Sequence, residues 1–514
     1  MERFTHIANI SEFSYNSSII KIERLKRKEV QQGLISKFDR DETYTGTLVY
    51  AGETYRFVFY QEKLKLLPNI KDNNSLGWLF DLKKLPDGSY TWKTPPRIEE
   101  DLLVGNCYET SNKIIFLPKK NAFVLRQGSL LLIDLTAYII FQYERSAVGK
   151  ISFYGPEIDC IHPLRQALDY KVDAEKFVNN GIFEIKARDF DFTTTPTEIF
   201  MVDGKSVGTY FGISREITTR VDKAPLILSS NLVFEFQETS DWQFVLRLWY
   251  IAKEFLQFMC RRKNICLDNV ELSAPDGHGK YDAFATLYVI GQKTDAETSA
   301  LTSGCFISQW HIAGVTGKIL SDIADNQMCL RHLPASYSVR GQIDAARFVM
   351  VTAAFEWEFK RLYPLGIPKE EKRKEAEERV SAQIKALKDS SHGKEKEIYK
   401  SLLRNIERFL SLENKIEIIG KDYSEILDIF GKQLYELSDM QLSYSETAKR
   451  LGSQRNDFAH GNLDHDFKGE ALLDIAFLER IVYAMQLKVA GVENKKIQSA
   501  INNLFGCRLL LKDQ

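Results

Sequence analysis

The chain has almost no surplus charge: 69 Lys+Arg face 70 Asp+Glu over 514 residues, a net of −1. Such a balance creates no whole-molecule field toward nucleic acid or an anionic membrane, so any contact with a polyanion must come from a local site. Long apolar runs are also missing. The strongest, residues 130–141, is interrupted by Asp134 and is too short to span a bilayer. The first ten residues mix polar and apolar types, without the charged region and apolar core of a secretory signal. Cysteines are few, odd in number and scattered: Cys107, Cys160, Cys260, Cys266, Cys305, Cys329 and Cys507. That usage suits thiols in a reducing compartment and not a disulfide framework. A cytoplasmic protein is expected. What is present is ordinary globular composition, 44% apolar and 12% aromatic, at a length that implies two to four domains. No internal repeat is visible.

Strand signals fill residues 1 to about 235. Thr47 to Tyr50 and Thr54 to Tyr60 are β-branched and aromatic runs around Ala51-Gly52-Glu53, the pattern of a hairpin. Further strands are expected at 113–117, 129–142, 150–154, 182–187, 198–201, 207–213 and 232–236, with Gly, Pro, Asp and Asn between them, as in a sandwich or jelly roll. The period changes at 241–262, where Trp242, Val245, Leu246, Trp249, Ala252, Phe255 and Met259 make a helical apolar face and Asp241 can act as N-cap. Strands resume at 265–273 and 281–290, with a turn at Asp276-Gly277-His278-Gly279. From 342 onward the spacing is helical, with helices expected at 342–363, 369–388, 394–412, 423–437, 443–460, 469–489 and 493–505. The fold class is therefore α+β: a β-rich region over 1–335, in two subdomains with a helix near 241–262, and a C-terminal all-α bundle over 342–506. The segment 341–514 carries 28 Lys+Arg and 28 Asp+Glu, so the bundle is neutral as well.

The most informative stretch is Arg455-Asn456-Asp457-Phe458-Ala459-His460-Gly461. It places a permanent cation, an amide and an imidazole within about one and a half helical turns. On a straight helix Asn456 and His460 share a face while Arg455 and His460 point about 140° apart, so the arginine wraps round, the helix bends, or a second subunit completes the site. Gly461 is a natural residue just past a helix end, putting His460 on the last turn, where the helix dipole favours the imidazolium. Cleavage of RNA by its own 2′-OH needs a base, an acid and a cation for the developing charge. One histidine supplies one proton-transfer partner, so a two-fold pair of His460 residues would supply both. The competing reading is an ion pair and helix terminus that hold Asp457, Asp464 or Asp466 in place.

Arg455-Asn456 followed by His460-Gly461 in a C-terminal helical bundle resembles the HEPN superfamily of ribonucleases, over roughly residues 342–506. The resemblance implies catalytic roles for Arg455 (phosphate binding), His460 (proton transfer) and Asn456 (orientation), with no metal, no cofactor, and a cleft formed by two motifs across a homodimer. The layout, a large β-rich region before the bundle, is similar to ApeA-like anti-phage HEPN proteins, and the helix-to-strand segment 249–272 adds to that likeness. It implies an abortive-infection toxin acting on RNA, with tRNA a plausible substrate, whose N-terminal region senses a trigger such as a phage protein. Alternatives are a non-catalytic dimerisation or nucleotide-binding bundle with an N-terminal protein- or carbohydrate-binding domain, and one half of a toxin–antitoxin pair.

Other motifs rank lower. Cys260, Cys266, Cys305, His311, Cys329 and His332 fit no zinc spacing and read as core residues. Gly204-Lys205-Ser206 lacks the upstream glycine and following helix of a phosphate loop and reads as a hairpin turn. Glu356 and Glu358 lie in an apolar helix, where one facing inward could pair with Arg455. His465 reads as a loop residue. The charged run 369–379 reads as a solvated helix face.

Overall fold

The computed structural model describes residues 42–68, 82–84, 90–92, 97–109, 112–127, 130–172, 184–189, 193–222, 224–267, 269–291, 297–367, 371–406, 411–459 and 469–511, with single positions 86, 178, 181 and 467. The protein is α+β, with its described strands lying between Tyr44 and Val289 and a helical C-terminal region.

Fourteen strands hydrogen-bond into one antiparallel sheet. In chain order the described strands, in and outside this sheet, are β1 (Tyr44–Tyr50), β2 (Glu53–Tyr60), β3 (Lys63–Pro68), β4 (Leu82–Lys84), β5 (Tyr90–Trp92), β6 (Leu103–Cys107), β7 (Lys113–Pro118), β8 (Leu125–Gln127), β9 (Leu130–Ile133) and β10 (Leu135–Phe141). Then come β11 (Val148–Tyr154), β12 (Leu168–Lys171), β13 (Glu184–Ala187), β14 (Glu198–Val202), β15 (Lys205–Ile217), β16 (Leu226–Thr239), β17 (Asn269–Pro275) and β18 (Tyr281–Val289). The sheet order is β14-β15-β16-β11-β17-β18-β10-β7-β6-β1-β2-β3-β9-β8, and β4-β5 and β12-β13 form separate pairs. The hairpin read at 47–60 is β1–β2, in register from Tyr44 opposite Phe59 to Tyr50 opposite Glu53. The hairpin turn read at 204–206 is Asp203-Gly204, at φ 50° and 76°, with Lys205 and Ser206 already paired in β15.

The layering expected of a sandwich is built here from one sheet with two cores. Strands β7 and β10 are apolar at almost every position, so both their faces must be covered. Ile114, Phe116, Tyr138 and Ile140 face a core with Phe57 and Phe59, whereas Ile115, Leu117, Ala137, Ile139 and Phe141 face the other.

That second core contains the central helix. The first helices among the described residues are α1 (Pro156–Ile161) and α2 (Trp242–Cys260). Asp241 caps α2 by accepting the Phe244 amide at 3.0 Å, and Arg261 closes it in the left-handed conformation. Thirteen of its nineteen residues are buried, each large side chain contributing about 1.5–3 kcal/mol. The sequence reading assigned this helix to the β region alone. It is instead shared: Phe141 packs on Trp242 on the sheet side, while Phe258 stacks on Tyr483 of the bundle at 5.3 Å.

Next come α3 (Thr298–Ser303), α4 (Thr316–Ala324), α5 (Ala345–Leu362), α6 (Glu371–Ser390), α7 (Gly393–Ile406), α8 (Leu412–Asp422), α9 (Ser424–Glu436), α10 (Tyr444–Ala459), α11 (Ala471–Val489) and α12 (Asn494–Phe505). Here the expected helix 394–412 is corrected. Its described part is Gly393–Ile406, and Ser411, in an extended conformation, starts a separate helix, α8, by accepting the Asn414 amide at 3.2 Å. Among the described residues, no helix is long and apolar enough to cross a membrane.

Candidate functional site

Helix α10 carries Arg455 and Asn456. Its buried positions, Thr447, Ala448, Leu451, Gly452, Gln454 and Phe458, form a stripe that turns Arg455 to the stripe's edge and Asn456 to solvent. Two close approaches fix α10 against α8. A Cβ on Gly420 would lie 2.4 Å from the Tyr444 ring, and one on Gly452 would lie 2.9 Å from a Glu413 carboxylate oxygen. At Gly420 the rigid ring leaves no room for a methyl group, whereas the Glu413 side chain at Gly452 is flexible.

Five residues before Arg455, Arg450 makes a two-pronged bond to Asp474 of α11, Nε to Oδ2 at 2.7 Å and Nη2 to Oδ1 at 2.8 Å. Asp474 is fully buried and also accepts the Tyr435 hydroxyl, which in turn meets Thr447 Oγ1 at 2.8 Å. Hydrogen bonding to Asp474 is the first cause holding the Arg450 guanidinium charged, its pKa raised further above its ordinary value. Burial, with the adjacent Asp474 carboxylate, pushes the Tyr435 phenol up as well. This cluster clamps α10 to α11 and α9. The sequence reading missed it, although an aspartate inside the otherwise apolar start of α11 was a legible sign.

Arg455 meets a different environment. Its Nη2 donates to Glu356 Oε2 of α5 at 3.2 Å, and Lys415 Nζ of α8 reaches Glu356 Oε1 at 3.3 Å. Two cations therefore share one carboxylate, leaving a local surplus of one positive charge. Side-chain exposure is 38% for Arg455, 28% for Glu356 and 13% for Lys415, so the guanidinium is the accessible member. Among the described residues Glu356 is its hydrogen-bond partner, which leaves Nε and Nη1 for an incoming anion. An arginine presented this way suits a phosphate, whose oxygens accept from the planar fork.

Of the two glutamates considered from sequence, Glu356 is thus the partner of Arg455. Glu358 is fully buried and accepts from Cys329 N at 2.9 Å, from Gln486 Nε2 at 3.1 Å and from Arg361. Burial raises its carboxyl pKa, against the Arg361 charge. Lys415 carried no signal in the sequence, because the helix holding it was not anticipated. His460 and Gly461 lie outside the described residues, as do Asp464, His465 and Asp466. The helix geometry drawn from His460 therefore has no counterpart in the described structure; the chain enters that segment directly from Ala459, one turn beyond Arg455.

The cysteine and histidine candidates occupy separate surroundings. Burial pushes the Cys260 thiol up to about 12. His311 bonds Ser308 and Ser499, and burial lowers its pKa to about 4. Among the described residues, no group of three or more His, Cys, Asp or Glu side chains is placed to hold a metal ion.

No protein-family model matches the chain, and no curated protein matches it.

Proposed function

We propose that the chain is an endoribonuclease of HEPN type, acting as a homodimer through Arg455, Asn456 and His460. The observation that carries this reading is the half-exposed Arg455 guanidinium in the last turns of α10, in a locally positive cluster with Lys415 and five residues before His460 in the sequence. In this reading Arg455 binds the scissile phosphodiester and stabilises the charge that develops on it. His460 moves the proton between the 2′-OH, the phosphate and the leaving 5′-oxygen, with its copy in the partner taking the complementary role. The products are cyclic-phosphate and 5′-hydroxyl ends. The cation supplied by Arg455 does the work a metal does elsewhere, so cleavage continues in chelator. The β-rich region restrains the bundle until it meets its trigger, as in anti-phage abortive infection, and tRNA is a suitable substrate. A neutral chain needs selection by RNA shape or by activation, because bulk electrostatic affinity is weak. Cytoplasmic residence follows from that substrate.

The test is incubation of the purified full chain with total RNA plus chelator, with and without extract from phage-infected cells, reading new cyclic-phosphate ends. Wild type cleaves in at least one condition, and Arg455→Ala and His460→Ala abolish cleavage while remaining folded. Cleavage retained in either variant, or intact RNA under both wild-type conditions, overturns the assignment.

A further inference from the structure

Helices α6 and α7 form an antiparallel hairpin, turning at 391–392 and inserted between α5, which carries Glu356, and α8, which carries Lys415. Ile384 of α6 and Tyr399 and Leu403 of α7 are half-buried at the seam between the two helices. Beyond that seam the hairpin is bare. No position from 375 to 403 is buried, and among the described residues α6 and α7 pack chiefly on each other. Helices of this length gain most of their stability by covering an apolar face, and here none is covered.

The apolar residues it exposes are not scattered. Val380 is 45% exposed, Leu387 47%, Ile398 59% and Leu402 42%. Val380 and Leu387 are seven apart and Ile398 and Leu402 four apart, so each pair forms one row along its helix. At 100° per residue both rows stand roughly 80–100° from the seam. In antiparallel helices these rotations carry the two rows to the same side of the hairpin. Counting from the turn, Leu387 and Ile398 share one level, and Val380 and Leu402 share the next. Four side chains thus make one contiguous apolar patch, and such patches mark interaction sites. All four are aliphatic, so the patch offers RNA no stacking platform.

We propose that this face receives a second copy of the chain, two hairpins packing face to face as a four-helix bundle. Size supports a second copy. The 14 residues of α7 extend about 21 Å, and two helices side by side span about 20 Å. Doubled on itself, with side-chain relief, that face removes on the order of 1,200 Å2 from solvent, the lower end of stable interfaces. The pattern supports it as well. A dyad parallel to the hairpin sets Leu387 against the partner's Ile398 and Val380 against the partner's Leu402, so the patch complements itself. The same dyad keeps both hairpin roots on one side. Each root returns to the bundle at Ser411, one turn before Lys415, which shares Glu356 with Arg455. The two Arg455 segments therefore lie on the same side of the assembly, as a site built from two subunits requires. That orientation rests on the ribonuclease reading; the interface does not.

Sedimentation equilibrium of the full chain tests it. Wild type sediments at twice the chain mass at micromolar concentration. Leu387→Glu/Ile398→Glu and Leu387→Lys/Ile398→Lys each raise the dimer dissociation constant at least about thirtyfold. Mixing these two variants restores the dimer, since opposite charges then face each other across the dyad. Restoration separates a lost interface from a lost fold. Leu437→Glu, exposed just past α9, leaves the dimer intact. RNA cleavage is read on the same samples: a dimer lost with cleavage retained keeps the interface and overturns the two-subunit site. A monomeric wild type, a dimer undiminished in both double variants, or no recovery on mixing overturns the proposal. So does a result in which the substitutions weaken only the binding of RNA.

Discussion

Arg450 and Arg455 stand five residues apart on α10 in opposite settings, one locked to a buried carboxylate and one half-exposed, and a pair of alanine substitutions separates them. Arg450 holds a carboxylate that is 0% exposed through two charge-assisted bonds. Arg450→Ala leaves Asp474 buried with the Tyr435 hydroxyl as its remaining described donor. Removing one partner of a fully buried ion pair costs about 3–5 kcal/mol; Arg450 is itself 26% exposed, so about 2–4 kcal/mol is expected. Arg455→Ala removes one bond at 3.2 Å between side chains that are 38% and 28% exposed, and Glu356 retains Lys415. Pairs of this kind contribute about 0.2–1 kcal/mol. Urea unfolding followed by far-ultraviolet circular dichroism measures both, from the shift in midpoint at unchanged slope. Equal destabilisation by the two substitutions, or a loss below about 1 kcal/mol for Arg450→Ala, would refute this division. The contrast also decides how activity data are read: loss of cleavage in Arg455→Ala is chemical in origin only if that variant is nearly as stable as wild type.

Three further outcomes follow from the geometry. Gly420→Ala pushes a methyl group into the Tyr444 ring, whose hydroxyl is tied to Asp428 at 3.0 Å; overpacking of this kind costs about 1–3 kcal/mol, and an unchanged thermal midpoint would disprove the close α8–α10 approach. Burial holds the His332 pKa down to about 4 from 6.5. The unfolded chain therefore takes up this proton near pH 6.5 and the folded chain does not until about 4, so the stability contributed is complete above 6.5 and is lost as pH falls toward 4. The gap in unfolding free energy between wild type and His332→Gln should shift over that window by on the order of 3 kcal/mol; parallel pH profiles would count against a neutral buried imidazole. Finally, Glu356→Gln keeps the shape but removes the shared carboxylate. Under the ribonuclease reading RNA binds more tightly, because the cluster gains a positive charge, while kcat falls, because Arg455 loses its orienting partner. Unchanged KM and kcat together would remove Glu356 as a positioning residue.

The class of fold was legible because its signals are local. Alternating aromatic and β-branched residues gave β1 and β2, and Asp241 before a helical apolar face gave α2 with its cap. The β7 and β10 strands were visible as apolar runs, but a run says only that both faces are covered and not by what; their placement between two cores depends on partners far along the chain. Helix α8 was missed because the preceding helix was carried to 412 and 413–422 was given no element, despite Ser411 three residues before Asn414. For the site, the Arg455-Asn456 pair and the suggestion that Glu356 or Glu358 faces it could be read from sequence. Choosing Glu356 could not, since it depends on how α5 is rotated against α10.

That rotation is set by α11. The helix is apolar along most of its length, and apolar packing alone tolerates sliding and turning, being non-directional. Three buried polar residues interrupt it, and each engages different neighbours. Asp474 holds Arg450 of α10 and Tyr435 of α9. Glu479 holds Arg347 of α5 and Arg261 at the end of α2; burial works against its charge, but the two guanidinium groups outweigh burial and keep its pKa below the ordinary value. Gln486 donates to Glu358 of α5 and to Cys329 O. Helix α5 is thereby pinned to α11 at two points, Arg347 and Glu358, with Glu356 between them, and α10 is pinned at Arg450, little more than one turn before Arg455. Buried polar contacts of this kind add little net stability but discriminate between registers. The 3.2 Å approach of Arg455 to Glu356 is thus a consequence of the frame, since each residue belongs to a helix whose position is fixed by a directional bond to the same third helix.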